Sequence, residues 1–237
     1  MTGALAIFVK TPGRSPLKTR LANECGERYA TEWYRRAAAA VASVAVEAQR
    51  RYGVRAYWAV AEPDALDAWP DLPSIAQGEG GLGTRMARVH AGLVASHGFG
   101  LLLGADAPQL TVELLGEAIE WLVEDELRGG GLAGDRPRLA LGPASDGGFW
   151  LFGSNVVPPL PAWTSVAYST TTTAVDLRHA MHDLGEWRTL ATLTDVDTAT
   201  DLPMLRRALQ ALPESTPEQS ALARWMRAPT TPDLSDA

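Results

Sequence analysis

The chain has 237 residues, 46% of them hydrophobic, and its 28 acidic and 21 basic side chains give a net charge of −7. This length and composition predict one α/β domain with a substantial core, and the acidic balance argues against a nucleic-acid-binding protein. A single cysteine, Cys25, argues against disulfides and favours a cytoplasmic protein, and no stretch approaches the roughly 18 apolar residues of a membrane span.

The first predicted element is a buried strand at residues 4–9, which form a continuous apolar run. Prolines and a glycine between positions 12 and 16 end this run and force a loop. The loop carries four cations, and no acidic residue occurs before position 24: the cations are Lys10, Arg14, Lys18 and Arg20. Because phosphate-bearing ligands bind at the loop after the first strand of an open α/β sheet, this pattern predicts a nucleotide or phosphate site.

Strand and helix patterns alternate along the rest of the chain. The predicted helices are residues 27–50, 82–96, 110–127 (ended by glycines 129–131), 172–184 and 201–212, and the predicted strands are residues 54–60, a short one near 77, 99–104, 139–141, 149–152 and 188–193. Continuous apolar strands separated by helices predict a mainly parallel sheet covered on both faces. We expect one domain over residues 1–212 and a proline-rich, non-catalytic tail over 213–237, with a short helix near 221–227.

Acidic residues follow three of the predicted strands. Asp106 comes after the apolar run at 101–105, Asp146 after the strand at 139–141, and Asp195 and Asp197 after the strand at 188–193. These side chains can therefore converge on one crevice at the edge of the sheet. Since Mg²⁺ takes one or two protein carboxylates and completes its shell with water and phosphate, the pattern favours a metal–nucleotide complex opposite the basic loop.

Structural interpretations of the same residues stay open. Asp106 could cap the following helix, where Pro108 suits an early position. The segment 146–148, Asp-Gly-Gly, could be a plain hairpin turn. The segment 82–86 opens a helix after a glycine-rich stretch; its backbone donors and Arg85 could face a ligand, or the segment could be an ordinary helix start.

Six motifs in chain order resemble one known family. They are Phe8-Val9-Lys10-Thr11-Pro12, Lys18-Thr19-Arg20-Leu21, Leu82-Gly83-Thr84-Arg85-Met86, Gly104-Ala105-Asp106-Ala107-Pro108, the segment from Gly142 to Phe149, and Asp195-Val196-Asp197-Thr198. Over residues 4–205 the chain resembles the DUF2064 family of GT-A-fold transferases, relatives of 2-phospholactate guanylyltransferase and the cytidylyltransferases. The resemblance implies a three-layer α/β/α, Rossmann-like GT-A (nucleotide-diphospho-sugar transferase) fold with a mainly parallel mixed sheet that binds a metal–nucleotide complex.

The resemblance also implies roles for particular residues. The phosphate and nucleotide contacts would come from Lys10, Lys18, Thr19, Arg20, Gly83 and Arg85. Asp106 would be the central ligand of Mg²⁺ or Mn²⁺ and Asp197 the second, and both would act with Lys18 in catalysis. The acceptor side would be lined by Asp146, Gly147 and Gly148. The chain departs from the family pattern at Ser15-Pro16, where a Pro-Gly pair is usual closer to the second lysine, and at Ala105 and Ala107, where serine and cysteine are usual.

Three function classes remain for the chain. The first is metal-dependent nucleotidyl transfer from a nucleoside triphosphate to a small phosphorylated or carboxylated acceptor, with release of pyrophosphate. The second is sugar transfer from a nucleotide sugar, and the third is a non-catalytic nucleotide-binding module. Several cations on one loop match a triphosphate better than a diphosphate donor, because expelling pyrophosphate develops charge on the β- and γ-phosphates.

Overall fold

A computed structural model describes residues 3–127 and 137–226, so the glycines at 129–131 lie outside the described residues. The strands are β1 (Ala4–Val9), β2 (Arg55–Val60), β3 (Ser74–Ala76), β4 (Gly100–Gly104), β5 (Arg138–Pro143), β6 (Phe149–Ser154) and β7 (Glu186–Thr189). The helices are α1 (Thr19–Cys25), α2 (Glu27–Tyr52), α3 (Leu82–His97), α4 (Val112–Leu127), α5 (Leu160–Thr164), α6 (Thr173–Ala180), α7 (Leu202–Gln210) and α8 (Pro217–Trp225). Short 3₁₀ turns occupy Pro63–Ala68, His182–Leu184 and Ala199–Asp201.

The strands form one mixed sheet in the order β3-β2-β1-β4-β6-β5-β7. Neighbouring strands are parallel except at β6, which runs antiparallel to both β4 and β5. The carboxyl ends of β1, β4, β5 and β7 therefore meet at one edge, as expected for strands of one direction. This confirms the mainly parallel sheet that the continuous apolar runs predict.

Alternate residues of β1 show that the sheet is covered on both faces. Leu5 and Ile7 pack in the cluster formed with α2, α4, α7 and α8, whereas Ala4 and Ala6 pack in the cluster formed with α3, α5 and α6. All four of these side chains are fully buried. A central strand that is apolar at every position is what burial on both faces requires, and the three-layer α/β/α architecture is confirmed.

Four local features differ from the sequence prediction. The helices α1 and α5 are absent from it, since each is shorter than two turns and carries no clear apolar period. The predicted helix at 172–184 breaks after α6 into a 3₁₀ turn. The strand predicted at 188–193 is instead Glu186–Thr189, and Leu193 makes only an isolated bridge to Ala144.

The C-terminal segment packs on the rest of the molecule through α8. Leu222 is fully buried, and the ring of Trp225 stacks on Tyr29 of α2 with centroids 4.8 Å apart. The side chain of Gln219 is also buried, and its Nε2 donates to the carbonyls of Pro108 and Leu110 at 2.8 and 2.7 Å. The predicted tail thus contributes to the core up to residue 226. None of the described helices is long and apolar enough to cross a membrane.

Candidate active site

A two-lobed cleft opens at the edge of the sheet where β1, β4, β5 and β7 end. The first lobe has a volume of about 660 Å³ and is lined by the loop after β1 and the start of α3. The second lobe, of about 230 Å³, extends toward β6 and the segment before α6. The carboxylates of Asp106, Asp146 and Asp195 line both lobes. The cleft therefore lies where the sequence predicts that the acidic residues converge.

Lys18 joins the basic loop to these acidic residues. Its Nζ lies 2.8 Å from Asp106, 2.8 Å from Asp195 and 3.5 Å from Asp197. The Lys18 side chain is only 8% exposed, and its backbone has a left-handed φ of +41° at the N-terminus of α1. Arg20, the second residue of α1, pairs with Asp197 at 3.1 Å. Three carboxylates from two strand ends thus surround one ammonium group.

The protonation of this cluster follows from burial and charge. Burial lowers the pKa of Lys18, but the charges of Asp106 and Asp195 outweigh it and raise that pKa above its ordinary value. Burial and then the charge of Asp106 raise the pKa of Asp195 to about 7. Burial acts to raise the pKa of Asp106 as well, but the ion pair with Lys18 holds it below its usual range. Near neutral pH, Lys18 is charged, Asp106 is ionised and Asp195 is poised to titrate.

Carboxylate oxygens that suit a divalent cation lie beside Lys18. Single oxygens of Asp146, Asp195 and Asp197 all lie within 4.8 Å of one another, and hard oxygen ligands of this kind match Mg²⁺ or Mn²⁺. The predicted ligand Asp197 belongs to this group. The other predicted ligand, Asp106, is not one of the three; its carboxylate faces Lys18.

The structural interpretation of Asp106 as a helix cap does not fit its position. Helix α4 begins at Val112, and Thr111 caps it by accepting a hydrogen bond from the amide of Leu114 at 3.2 Å. Asp106 lies on the loop before this cap and faces the cleft. Its side chain pairs with Lys18 and does not cap the helix.

The loop after β1 is anchored from the end of β2. Glu62 accepts hydrogen bonds from the amide of Thr11 at 2.8 Å and from the hydroxyl of Ser15. Arg14 points away and forms an exposed ion pair with Asp64 at 3.0 Å. The remaining three cations of the loop, Lys10, Lys18 and Arg20, line the first lobe, as does Thr19. The structure thus separates one solvated charge from three that face the cleft.

Arg85 adds a fourth cation to the first lobe. Its Nη1 donates to Gln77 Oε1 at 2.8 Å, and Gln77 Nε2 donates in turn to the carbonyls of Val9 and Ala59. The chain of hydrogen bonds fixes the guanidinium against the ends of β1 and β2. Gly83, in contrast, faces away from the cleft: a Cβ there would lie 2.6 Å from the carbonyl oxygen of Trp163. This predicted contact residue is placed at the packing of α3 against α5.

The segment 146–148 is a hairpin turn and also lines the cleft. It joins β5 to the antiparallel β6, and Asp146 Oδ1 accepts from the amide of Gly148 at 2.8 Å. Gly147 has a φ of +92°, and a Cβ there would lie 2.0 Å from the carbonyl oxygen of Thr171. Asp146 borders both lobes and Gly148 borders the second. The two sequence interpretations of this segment are therefore compatible.

Several residues that line the cleft have no role in the sequence prediction. They are Tyr34, Gln77, Ser169, Thr170 and Thr171. The last three belong to a run of five hydroxyl side chains at 169–173, which ends at the first residue of α6. This run is the sequence signal that could have found them. Tyr34 and Gln77 give no such signal, because each lies in an ordinary helix or strand-end context and reaches the cleft only through the tertiary fold.

Comparison with protein families gives a match over more than half of the chain. Residues 34–170 match the family described as "Uncharacterized protein conserved in bacteria (DUF2064)". The chain belongs to the DUF2064 family. This confirms the resemblance that the six motifs indicate. A comparison with curated proteins found no match.

Comparison with solved structures confirms the fold. A protein from Desulfovibrio desulfuricans G20, provisionally named a nucleotide-diphospho-sugar transferase, superposes with a TM-score of 0.73 at 23% identity over 95% of this chain and 99% of that chain. CMP:2-keto-3-deoxy-manno-octonic acid synthetase, solved with CTP, gives 0.48 at 14% identity over 89% and 99%. The 4-diphosphocytidyl-2C-methyl-D-erythritolsynthase of Anaerococcus prevotii DSM 20548 gives 0.48 at 9% over 88% and 99%. The first match shows the nucleotide-diphospho-sugar transferase fold. The two weaker matches are too distant to add to this conclusion.

Proposed function

We propose that the protein is a metal-dependent transferase that moves a nucleotidyl group from a nucleoside triphosphate to a small acceptor and releases pyrophosphate. The observation that carries the proposal is the first lobe, where four cations border one large cavity beside a carboxylate cluster: Lys10, Lys18, Arg20 and Arg85. A triphosphate brings several negative charges, and cations fixed in advance stabilise the further charge that develops on the leaving pyrophosphate. A neutral or singly charged ligand would need no such lining.

The protein groups have separate roles in this proposal. Lys18 and Arg20 bind phosphate oxygens, and Lys10 and Arg85 hold the rest of the nucleotide. The anchored loop after β1 positions the three donors that follow this strand, and Gln77 positions Arg85. The carboxylates of Asp146, Asp195 and Asp197 would hold Mg²⁺ or Mn²⁺, with Asp106 as a further ligand as the sequence predicts. When bound, the cation would supply charge neutralisation at the phosphates.

The reaction we propose is a direct in-line displacement. The only cysteine, Cys25, lies outside the residues that line the cleft, and burial raises the pKa of its thiol, which leaves it a poor nucleophile. In this proposal the acceptor oxygen attacks the α-phosphorus directly, without a covalent enzyme intermediate. The fixed cations and carboxylates position the triphosphate for that attack.

A pyrophosphate-release assay tests the proposal. The protein is incubated with each nucleoside triphosphate, Mg²⁺ and a panel of hydroxylated, phosphorylated and carboxylated acceptors. We expect acceptor-dependent pyrophosphate from at least one triphosphate, and none after metal chelation. Turnover of UDP- or GDP-sugars to the nucleoside diphosphate, with no pyrophosphate from any triphosphate, would show sugar transfer instead. Nucleotide binding without turnover of either donor would support a binding module.

A further inference from the structure

The second lobe of the cleft differs from the first in the chemistry of its walls. Its lining is mostly apolar and aromatic, and includes Phe8, Leu102, Phe149, Trp150, Tyr168 and Leu193. Across the described parts of the chain, no lysine or arginine lines this lobe, whereas four line the first. Among the residues that the structure describes, none that lines this lobe offers a cation to a phosphate or carboxylate.

Three of the polar donors in these walls, those of Trp150, Tyr168 and Thr173, are already engaged with the protein. Trp150 Nε1 donates to the carbonyl of Ala191 at 3.0 Å, and the Tyr168 hydroxyl donates to the carbonyl of Trp163 at 2.9 Å. The Thr173 hydroxyl donates within its own loop, to the carbonyl of residue 167 at 3.0 Å. These side chains therefore present ring faces and methyl groups to the lobe, which favours contact with apolar parts of a ligand.

The charged side chains at the border of the lobe are carboxylates. Asp106, Asp146 and Asp195 line both lobes, and their carboxylates offer no hydrogen-bond donor to an anionic group placed beside them. A hydroxyl group, in contrast, can donate a hydrogen bond to a carboxylate. The lobe measures about 230 Å³, which is below the roughly 300 Å³ at which pockets for drug-sized ligands begin.

We propose that the second lobe binds a small, uncharged acceptor that carries a hydroxyl group on a partly apolar body. The inference rests on the proposed nucleotidyl transfer and replaces the phosphorylated or carboxylated acceptor expected from the sequence, because all of the cations that line the cleft belong to the triphosphate lobe. In the reaction, the acceptor oxygen forms a bond to the α-phosphorus and the bond from that phosphorus to the bridging oxygen breaks. Pyrophosphate leaves with the electron pair, and the hydroxyl proton passes to solvent.

Matched acceptors test the charge of the ligand. Each neutral alcohol or polyol, such as 1,6-hexanediol, is compared with the same molecule carrying one phosphate (6-hydroxyhexyl phosphate) or one carboxylate (6-hydroxyhexanoate). With saturating triphosphate and Mg²⁺, we expect the neutral members to support pyrophosphate release with kcat/KM at least about tenfold above their anionic counterparts. A faster phosphate or carboxylate member would overturn the inference while leaving nucleotidyl transfer intact. Absence of pyrophosphate with every triphosphate and acceptor would overturn both.

A substitution in the apolar wall tests whether the acceptor binds in the second lobe. Phe149 lines only the second lobe, so Phe149→Ala should raise the KM of the neutral acceptor by about tenfold through lost apolar contact, with the Kd of the triphosphate unchanged. Met204→Ala, an exposed apolar residue on α7, is the matched control and should change neither constant. A weakened triphosphate Kd with an unchanged acceptor KM would show that the second lobe belongs to the nucleotide site.

Discussion

Lys18 adopts a backbone conformation that few lysines adopt. Its φ of +41° lies in the left-handed region, where a residue other than glycine costs about 1–3 kcal/mol. The conformation persists because it points the ammonium group toward the carboxylates of Asp106 and Asp195. The ion pairs formed there are largely shielded from water. Strain at one residue thus accompanies a charge placed at the centre of the cleft.

Removal of this ammonium group should weaken nucleotide binding. Charge-assisted hydrogen bonds are each worth about 1.5–3 kcal/mol, so Lys18→Ala should raise the Kd of the Mg²⁺–triphosphate complex by about tenfold or more in titration calorimetry. Arg14→Ala is the control, since Arg14 forms only an exposed pair with Asp64. Equal affinities for Lys18→Ala and the parent would rule out Lys18 as a phosphate ligand, provided both remain folded.

The pKa of Asp195 gives a second prediction, which concerns how the stability of the folded protein changes with pH when a chelator keeps metal ions away. Burial raises this pKa to about 7 in the folded protein, from about 3.9 in an unfolded chain. Between those values the folded state holds a proton that the unfolded state has released, so this group makes the protein less stable as pH rises through that window. Scanning calorimetry from about pH 5 to about pH 8 should therefore show a smaller loss of Tm for Asp195→Asn than for the parent. If the Tm of Asp195→Asn and that of the parent changed equally with pH, the raised pKa of Asp195 would be refuted.

The packing of α3 against α5 depends on Gly83. A Cβ at this position would lie 2.6 Å from the carbonyl oxygen of Trp163 and 2.8 Å from the ring of Tyr168. The two helices can approach this closely only where no side chain intervenes. Because Tyr168 also lines the second lobe, the contact between α3 and α5 helps to shape the cleft.

Two alanine substitutions in α3 should therefore have opposite effects. Gly83→Ala should destabilise the protein by about 1–3 kcal/mol, as overpacking of a filled interior does. Gly92 lies in the same helix, and a Cβ added there would meet no neighbouring element within 4 Å, so Gly92→Ala should stabilise by about 0.5–1 kcal/mol through helix propensity. Urea unfolding measures both. If Gly83→Ala left the free energy of unfolding unchanged, α5 would have to shift away from α3 without a cost in stability.

The accuracy of the sequence prediction depends on the length of each element. Continuous apolar runs and long periodic segments predict β1, β4, α2 and α3 to within two residues, because burial on a sheet or helix face requires those patterns. The short α1 escapes prediction, since the residue before it is the left-handed Lys18, whose side chain does not cap the helix. The aspartates are predictable as a group from their positions after strands. Their contacts with Lys18 are not, because Lys18 and Asp195 are separated by 177 positions in sequence.

The C-terminal helix α8 supports the edge of the sheet at which the cleft opens. The Gln219 side chain bridges from α8 to the backbone of Pro108 and Leu110, just after Asp106. A buried amide that satisfies two carbonyls ties distant parts of the chain to one another. The segment 213–226 is thereby part of the framework around the cleft.

Loss of this bridge should lower stability without touching the cleft directly. Gln219→Ala leaves the Pro108 and Leu110 carbonyls without the Gln219 donor, which should cost about 1–3 kcal/mol in urea unfolding. Glu214→Ala removes an exposed side chain from the same segment and is expected to leave the free energy of unfolding within about 0.5 kcal/mol of the parent. Equal stability of the two variants would show that α8 is only loosely attached.

The ammonium group among the carboxylates has a consequence for the order and energetics of ligand binding. A divalent cation that enters alone must compete with a tethered positive charge, whereas a triphosphate offers Lys18 and Arg20 new anionic partners. Metal and nucleotide should therefore bind with positive heterotropic coupling, each raising the affinity of the other by the same factor, as thermodynamic linkage demands. Titration of Mn²⁺ with and without nucleotide would measure that factor, and in Lys18→Ala it should shrink toward one.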